Sequence, residues 1–94
     1  MANLDFTKEG NSWVSPALEG DDDYCIAFQF GFNTDSAKLE VEFTLDESIG
    51  WSNKAVILCP RLPKTYGDIV TGVKPGIKVR FKTNQKPAVA IINE

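Results

Sequence analysis

The sequence predicts an all-β fold: a single antiparallel β-sandwich of seven or eight short strands, with either jelly-roll or immunoglobulin/fibronectin-III-like topology. Large apolar residues alternate with small or polar ones through most of the chain, which is the period of a strand. Turn-forming residues interrupt this pattern about every 8 to 12 residues. With 94 residues there is room for one hydrophobic core, so residues 1–94 are expected to form a single domain.

Segment 24–33 shows the strongest alternation, because its large side chains occupy every second position. These side chains are Tyr24, Ile26, Phe28, Phe30 and Phe32. The positions between them hold the small or polar residues Cys25, Ala27, Gln29, Gly31 and Asn33. The pattern predicts a strand with one strongly apolar face, and its small residues predict that the opposite face is also closely packed.

Two further segments alternate apolar residues with charged ones. In segment 38–46 the predicted inward residues are Leu39, Val41, Phe43 and Leu45, and acidic residues that include Glu40 and Glu42 point outward. In segment 77–82 the predicted inward residues are Ile77, Val79 and Phe81, and the outward ones are Lys78, Arg80 and Lys82. Shorter strands are expected within 4–8, 13–15, 55–59, 68–73 and 88–92. Alternation of this kind favours antiparallel pairing with one solvated face.

The composition argues against an enzyme. The chain contains no histidine, which removes the commonest general base and metal ligand. The glycine patterns that bind phosphates or dinucleotides and the serine nucleophile motif are also absent. Glu40 and Glu42 could form a carboxylate pair, but on an exposed strand face nothing would raise the pKa of the acid. We therefore expect neither catalysis nor a cofactor.

Metal binding and disulfide formation are also disfavoured. The acidic turn Asp21–Asp23 matches no calcium-loop spacing, and adjacent strand-like carboxylates rarely converge, so a solvated turn is expected. The two cysteines, Cys25 and Cys59, lie in apolar segments and are predicted to be buried thiols. Two cysteines without histidine cannot supply the four ligands of a structural zinc site. No export signal or apolar run of about 20 residues is visible, so neither secretion nor a membrane span is expected.

The net charge of −3 hides a strong asymmetry along the chain. Residues 1–50 contain eleven acidic and two basic side chains, whereas residues 51–94 contain two acidic and eight basic ones. The acidic outward residues Glu40 and Glu42 and the basic residues around Arg80 could be cross-strand neighbours in one molecule. Alternatively, they could meet between molecules and set the register of self-association. Nucleic-acid binding is disfavoured because Phe81, the aromatic residue of the basic strand, points away from its basic face.

Aromatic residues near predicted turns are the remaining candidates for binding. Trp51 lies at a predicted hairpin tip, where it either folds over the end of the sandwich or contacts a partner. Tyr66 lies in the predicted loop 63–67, where it is either a loop contact or a packed corner residue, whereas Trp13 is expected in the core. Exposed aromatic rings can also stack on sugars, although no second ring forms an obvious platform. The candidate partner-binding residues are therefore Trp51, Tyr66, Lys78, Arg80, Lys82, Glu40 and Glu42.

Segment 69–81, with its Gly72-Val73-Lys74-Pro75-Gly76 corner, looks like a strand–corner–strand unit of fibronectin type III sandwiches. The whole chain resembles the small β-sandwich virion proteins of tailed phages of gut bacteria, including capsid auxiliary and head-fibre proteins of crAss-like phages. The matching features are the Trp13 opening, the hairpin carrying Trp51 after residues 45–48, and this corner before a terminal hairpin. The hairpin has Ser48-Ile49-Gly50 where an Asp-Gly turn is expected.

This resemblance implies a non-enzymatic virion structural or decoration protein, made in the host cytoplasm and located in the virion. Such a protein would bind capsid or other virion proteins, and it often forms homo-oligomers. The alternative is a carbohydrate-binding or host-adhesion module that recognises a glycan. Neither interpretation involves nucleic acid or a membrane.

Overall fold

The computed structural model describes residues 2–20, 24–33, 37–59 and 65–93. These residues form two antiparallel sheets, which confirms the all-β sandwich. Within them lie ten strands, more than the seven or eight predicted: β1 (Ala2–Asn3), β2 (Thr7–Glu9), β3 (Ser12–Val14), β4 (Leu18–Glu19), β5 (Cys25–Gly31), β6 (Ala37–Thr44), β7 (Ser52–Cys59), β8 (Thr65–Thr71), β9 (Lys78–Thr83) and β10 (Val89–Ile92). A single 3₁₀ turn, Glu47–Ile49, connects β6 to β7.

The strand order decides between the two predicted topologies. Sheet A has the order β1-β10-β5-β8, and sheet B has the order β2-β3-β9-β6-β7, with β4 also paired to β9. Among the described strands, only β2–β3 and β6–β7 form hairpins within one sheet. Strands β3 and β4 both pair with β9 in sheet B, and every other connection crosses from one sheet to the other. Repeated crossing between the two sheets is the connectivity of a jelly roll. The predicted terminal hairpin is wrong, because β9 and β10 belong to different sheets.

The core is built from the inward faces of β5, β6 and β9, as the alternation predicted. Phe30 and Phe81 are fully buried, and their ring centroids lie 5.1 Å apart in an edge-to-face arrangement. Phe28 packs against Phe81 at 4.8 Å, and Phe6 meets Phe30 edge-on at 5.6 Å. This aromatic cluster joins the two sheets, because Phe28 and Phe30 belong to sheet A and Phe81 belongs to sheet B.

Two residues predicted to point inward lie outside the core. Tyr24 precedes β5, adopts a positive φ of 58° and is exposed, so the strand begins one residue later than its apolar pattern. Its carbonyl oxygen accepts a hydrogen bond from the Val73 amide at 3.1 Å, which ties the start of β5 to the 72–76 corner. Leu45 is exposed because β6 ends at Thr44.

Candidate functional site

The oppositely charged strand faces are neighbours within one molecule. Strand β6 pairs with β9 so that Glu40 lies opposite Lys82 and Glu42 lies opposite Arg80 on the outer face of sheet B. The two predicted alternatives are pairing of these faces within one molecule and pairing between molecules, and the structure shows pairing within one molecule. The opposed charge totals of the two halves of the chain therefore arise partly from one cross-strand pairing.

Arg80 is the centre of this arrangement. Its Nε donates a hydrogen bond to Oε1 of Glu42 at 2.8 Å, and these side chains are only 20% and 12% exposed. Its guanidinium carbon also lies 4.5 Å from the ring centroid of Trp51. Strand β9 thus holds a cation between a carboxylate and an aromatic ring, which stabilises both neighbours.

Two exposed ion pairs extend the same surface. Lys38 Nζ lies 3.6 Å from Oε1 of Glu40, and Lys78 Nζ lies 3.4 Å from Oε2 of Glu47. Because the charged candidates Glu40, Glu42, Lys78 and Arg80 contact opposite charges of the same chain, this surface is largely matched internally. Lys82, the remaining charged candidate, faces Glu40 across the strands.

The aromatic candidates are held by the protein itself. Trp51 is half-buried beneath Arg80. Tyr66 lies within β8, opposite Phe30, and packs against the core rather than standing in a loop. Trp13 is half-buried and belongs neither to the core cluster nor to the side chains packed against it, and Lys86 Nζ lies 5.3 Å from its ring centroid. The prediction of a core Trp13 is therefore wrong.

The hairpin between β6 and β7 has a tightly bonded tip. Oδ1 of Asp46 accepts a hydrogen bond from the Ser48 amide at 3.0 Å, and this contact lowers the pKa of Asp46. Oγ1 of Thr44 lies 2.8 Å from the carbonyl oxygens of both Asp46 and Gly50. Gly50 adopts φ 91°, so it supplies the left-handed residue that an Asp-Gly turn would have supplied.

Two further features are absent from the described residues. These contain no group of three or more histidine, cysteine or acidic side chains able to hold a metal ion. They contain no helix of the length and hydrophobicity needed to cross a bilayer. The Asp21–Asp23 turn and the side chain of Cys59 lie outside the described residues. Cys25 is a free thiol, but it is half-buried on the outer side of sheet A rather than in the core.

The outer side of sheet A differs from that of sheet B in carrying no charged side chain within the described strands. Strand register places eleven residues on this side, which we call the uncharged face: Asn3, Cys25, Ala27, Gln29, Gly31, Thr65, Gly67, Ile69, Thr71, Val89 and Ile91. Ile69 is 58% exposed and Val89 is 52% exposed, so large apolar side chains of this face meet solvent. The predicted close packing of this side is therefore wrong.

A shallow groove of about 530 Å³ runs across the uncharged face. Ile69 and Ile91 form its two sides, and Ala27 and Gln29 of the central strand form its floor. Asp68 and Asn93 border the groove. The Asn93 side chain is engaged there, because its Oδ1 accepts a hydrogen bond from the Ala27 amide at 2.8 Å.

This face is not among the predicted sites, although the sequence contains a signal for it. The small residues between the large ones of β5 are visible in the sequence, but the neighbours of β5 in the sheet are not. Only the pairing of β5 with β8 and β10 brings Ile69 and Ile91 to either side of Ala27 and Gln29.

Comparison of the chain with protein-family models, with curated proteins and with solved structures finds no match.

Proposed function

We propose that this protein is a non-enzymatic decoration protein of a phage virion that attaches to the capsid through the uncharged face. The observation that carries the proposal is the absence of charge from that face within the described strands, together with its exposed apolar side chains. The virion setting comes from the sequence resemblance. The mode of attachment comes from the contrast between the two outer faces.

The chemistry of the uncharged face favours a neutral protein surface as the partner. Burying Ile69 and Val89 against another protein removes apolar area from water, and none of the eleven residues of the face carries a charge that would have to be desolvated; Asp68 lies at the border of the groove. A phosphate backbone or an acidic polysaccharide would find no cation there. We therefore expect attachment by hydrophobic contact that is nearly insensitive to salt, unlike docking between charged patches.

The geometry does not favour the carbohydrate-binding alternative. Sugar recognition uses accessible aromatic rings, and the uncharged face has none. The two tryptophans lie elsewhere, and each has a cation near its ring: Arg80 at Trp51 and Lys86 at Trp13. A pyranose ring would have to displace that cation before it could stack.

The proposal is tested by cosedimentation with capsids assembled from the capsid protein encoded nearest to this gene. The wild type is expected to sediment with the particles equally well at about 0.1 M and about 1 M salt. Ile69→Lys should reduce binding at least tenfold, because it places an unpaired charge in the contact. Ile49→Lys is the matched control: Ile49 is also exposed, but it lies at the β6–β7 hairpin.

Each of three results would overturn the proposal. One is a wild type that never sediments with the particles, or that sediments with them no better than Ile69→Lys does. The second is binding on a glycan array that Trp51→Ala abolishes, which would establish the carbohydrate-binding alternative. The third is a strong decrease of cosedimentation with salt, which would reassign attachment to the charged face of sheet B.

A further inference from the structure

Five of the described strands have a partner strand on one side only, and four of these edges carry features that oppose pairing with another strand. Strands β1 and β4 have only two residues each. Strand β2 has three residues, and its Lys8 and Glu9 are exposed. Strand β8 is longer, but it contains Gly67 and then Asp68, whose register opposite Phe28 places an acidic residue on the core-facing side of the edge. Short length, charge and inward-facing acidic residues are the usual protection of a sheet edge.

Strand β7, the fifth edge, shows none of these features over most of its described length. It runs for eight residues, and its segment 55–59 contains no charged residue, glycine or proline. Val56 and Leu58 are 50% and 74% exposed on the outer face of sheet B. A register irregularity between Val41 and Glu42 of β6 distorts only the beginning of β7. A long, exposed apolar edge of this kind is a surface for strand addition.

We propose that β7 pairs antiparallel with β7 of a second copy of this chain, with Val56 of each copy opposite Leu58 of the other. In a continuous sheet, directly opposed residues must lie on the same face, so Val56 can face Val56, Leu58 or a residue two positions beyond them. In the Val56–Leu58 pairing, both exposed side chains of each copy contact an apolar side chain of the other copy. Lys54 lies outside this apolar contact, which we call the seam.

The charges on the neighbouring strand favour this register. Within one chain, Leu58 lies opposite Lys38 of β6, and Val56 lies opposite Glu40. In the proposed pairing, opposed residues of β6 and β7 of one copy and of β7 and β6 of the other form two rows across the seam. Each row contains Lys38 and Leu58 of one copy, followed by Val56 and Glu40 of the other. Pairing Val56 with Val56 would instead place Glu40 at both ends of one row. A self-complementary surface with opposite charges at its margins fits a second copy better than an unrelated strand.

The resulting dimer has a consequence for attachment. Its two-fold axis is perpendicular to the joined sheets, so the two copies of sheet A lie on the same side. Both uncharged faces would then point in one direction and could engage a repeating lattice together, which raises avidity without any new contact. This consequence rests on the proposed function, whereas the β7 pairing does not.

Sedimentation equilibrium over about three orders of magnitude in protein concentration tests the pairing. The wild type should pass from monomer to dimer, whereas Leu58→Lys and Val56→Lys should each raise the dissociation constant at least tenfold. Leu58→Met keeps an apolar side chain and should preserve the dimer. Ile69→Lys is the matched control, because it places the same charge on an edge strand of sheet A and should leave dimerisation unchanged.

Hydrogen exchange on the wild type provides a readout that needs no variant. Amides of β7 should become more protected as the concentration rises, and amides of β8, the other long edge, should not. A monomer at every concentration, a dimer indifferent to both lysine variants, or protection gained at β8 would overturn the proposal. So would β7 protection that appears only when a different protein is added. A monomeric wild type that still sediments with capsids would refute the dimer alone, whereas a dimer that never binds them would refute the proposed function alone.

Discussion

The two outer faces of this sandwich differ in charge, although both are formed by antiparallel strands. On sheet B, the acidic side chains of β6 meet the basic side chains of β9, and Arg80 bridges Glu42 and Trp51. On sheet A, the outward positions of β5, β8 and β10 carry no charge at all. The comparison teaches that the abundance of charge on a surface is a poor guide to binding. Charges that pair internally stabilise the molecule, whereas a face without charges can be covered by a partner at little desolvation cost.

Replacing Arg80 with methionine should give the largest effect on the charged face. Arg80→Met keeps a long side chain, but it removes the donor to Glu42 and the cation over Trp51. Because Arg80 and Glu42 are largely shielded from solvent, we expect the free energy of unfolding to fall by about 1–2 kcal/mol. Urea denaturation measures this change.

The control for Arg80→Met is Gln29→Met at the centre of the uncharged face. It should change the unfolding free energy by less than about 0.5 kcal/mol, because Gln29 is exposed and has no charged partner on its face. Equal destabilisation by the two substitutions would remove the distinction between a face that stabilises the fold and a face that is free to bind.

Trp51→Ala should have a smaller effect on stability and none on attachment. The substitution removes the ring under Arg80 and its partly buried area, so we expect a loss of about 1 kcal/mol in unfolding free energy, mostly recovered in Trp51→Phe. Thermal denaturation and capsid cosedimentation measured on the same variant separate the two effects. Lost cosedimentation with unchanged stability would show that Trp51 contacts a partner.

The fold class could be predicted because it depends on a local signal. Alternation with period two marks each strand, and Phe28, Phe30 and Phe81 are buried where the pattern placed them. The jelly-roll connectivity could not be predicted, because β5 and β9 show the same alternation whichever sheet they join. Tyr24 and Leu45 show a second limit: they continue the pattern past the ends of their strands, where the backbone has already turned away.

The functional surface was harder to predict, since it is defined by neighbours. The sequence identifies the acidic and basic strand faces, but whether Glu42 meets Arg80 of its own chain depends on strand order. The uncharged face is distributed over β1, β5, β8 and β10, and no single segment reveals it. The strongest local signal for this face is the set of small residues that alternate with the large ones in β5. Small residues at these positions are compatible both with a closely packed layer and with an open groove.

The smallest predicted effect concerns Asp46, at the hairpin that ends the charged sheet. Hydrogen bonds to Ser48 lower the pKa of Asp46 in the folded state. The ionised carboxylate therefore stabilises the fold at pH values above the pKa that Asp46 has in the unfolded chain. That contribution is lost as the pH falls through the lower folded-state pKa. Asp46→Asn keeps an oxygen acceptor for the Ser48 amide but removes the charge. The wild type should therefore be slightly more stable near neutral pH, and the two unfolding free energies should converge in acid. Parallel loss of stability in both proteins would show that other carboxylates account for the acid sensitivity. Over the same pH interval, attachment through the uncharged face should change little while the fold persists, since the eleven residues of that face include no carboxylate and Asp68 lies at the border of its groove.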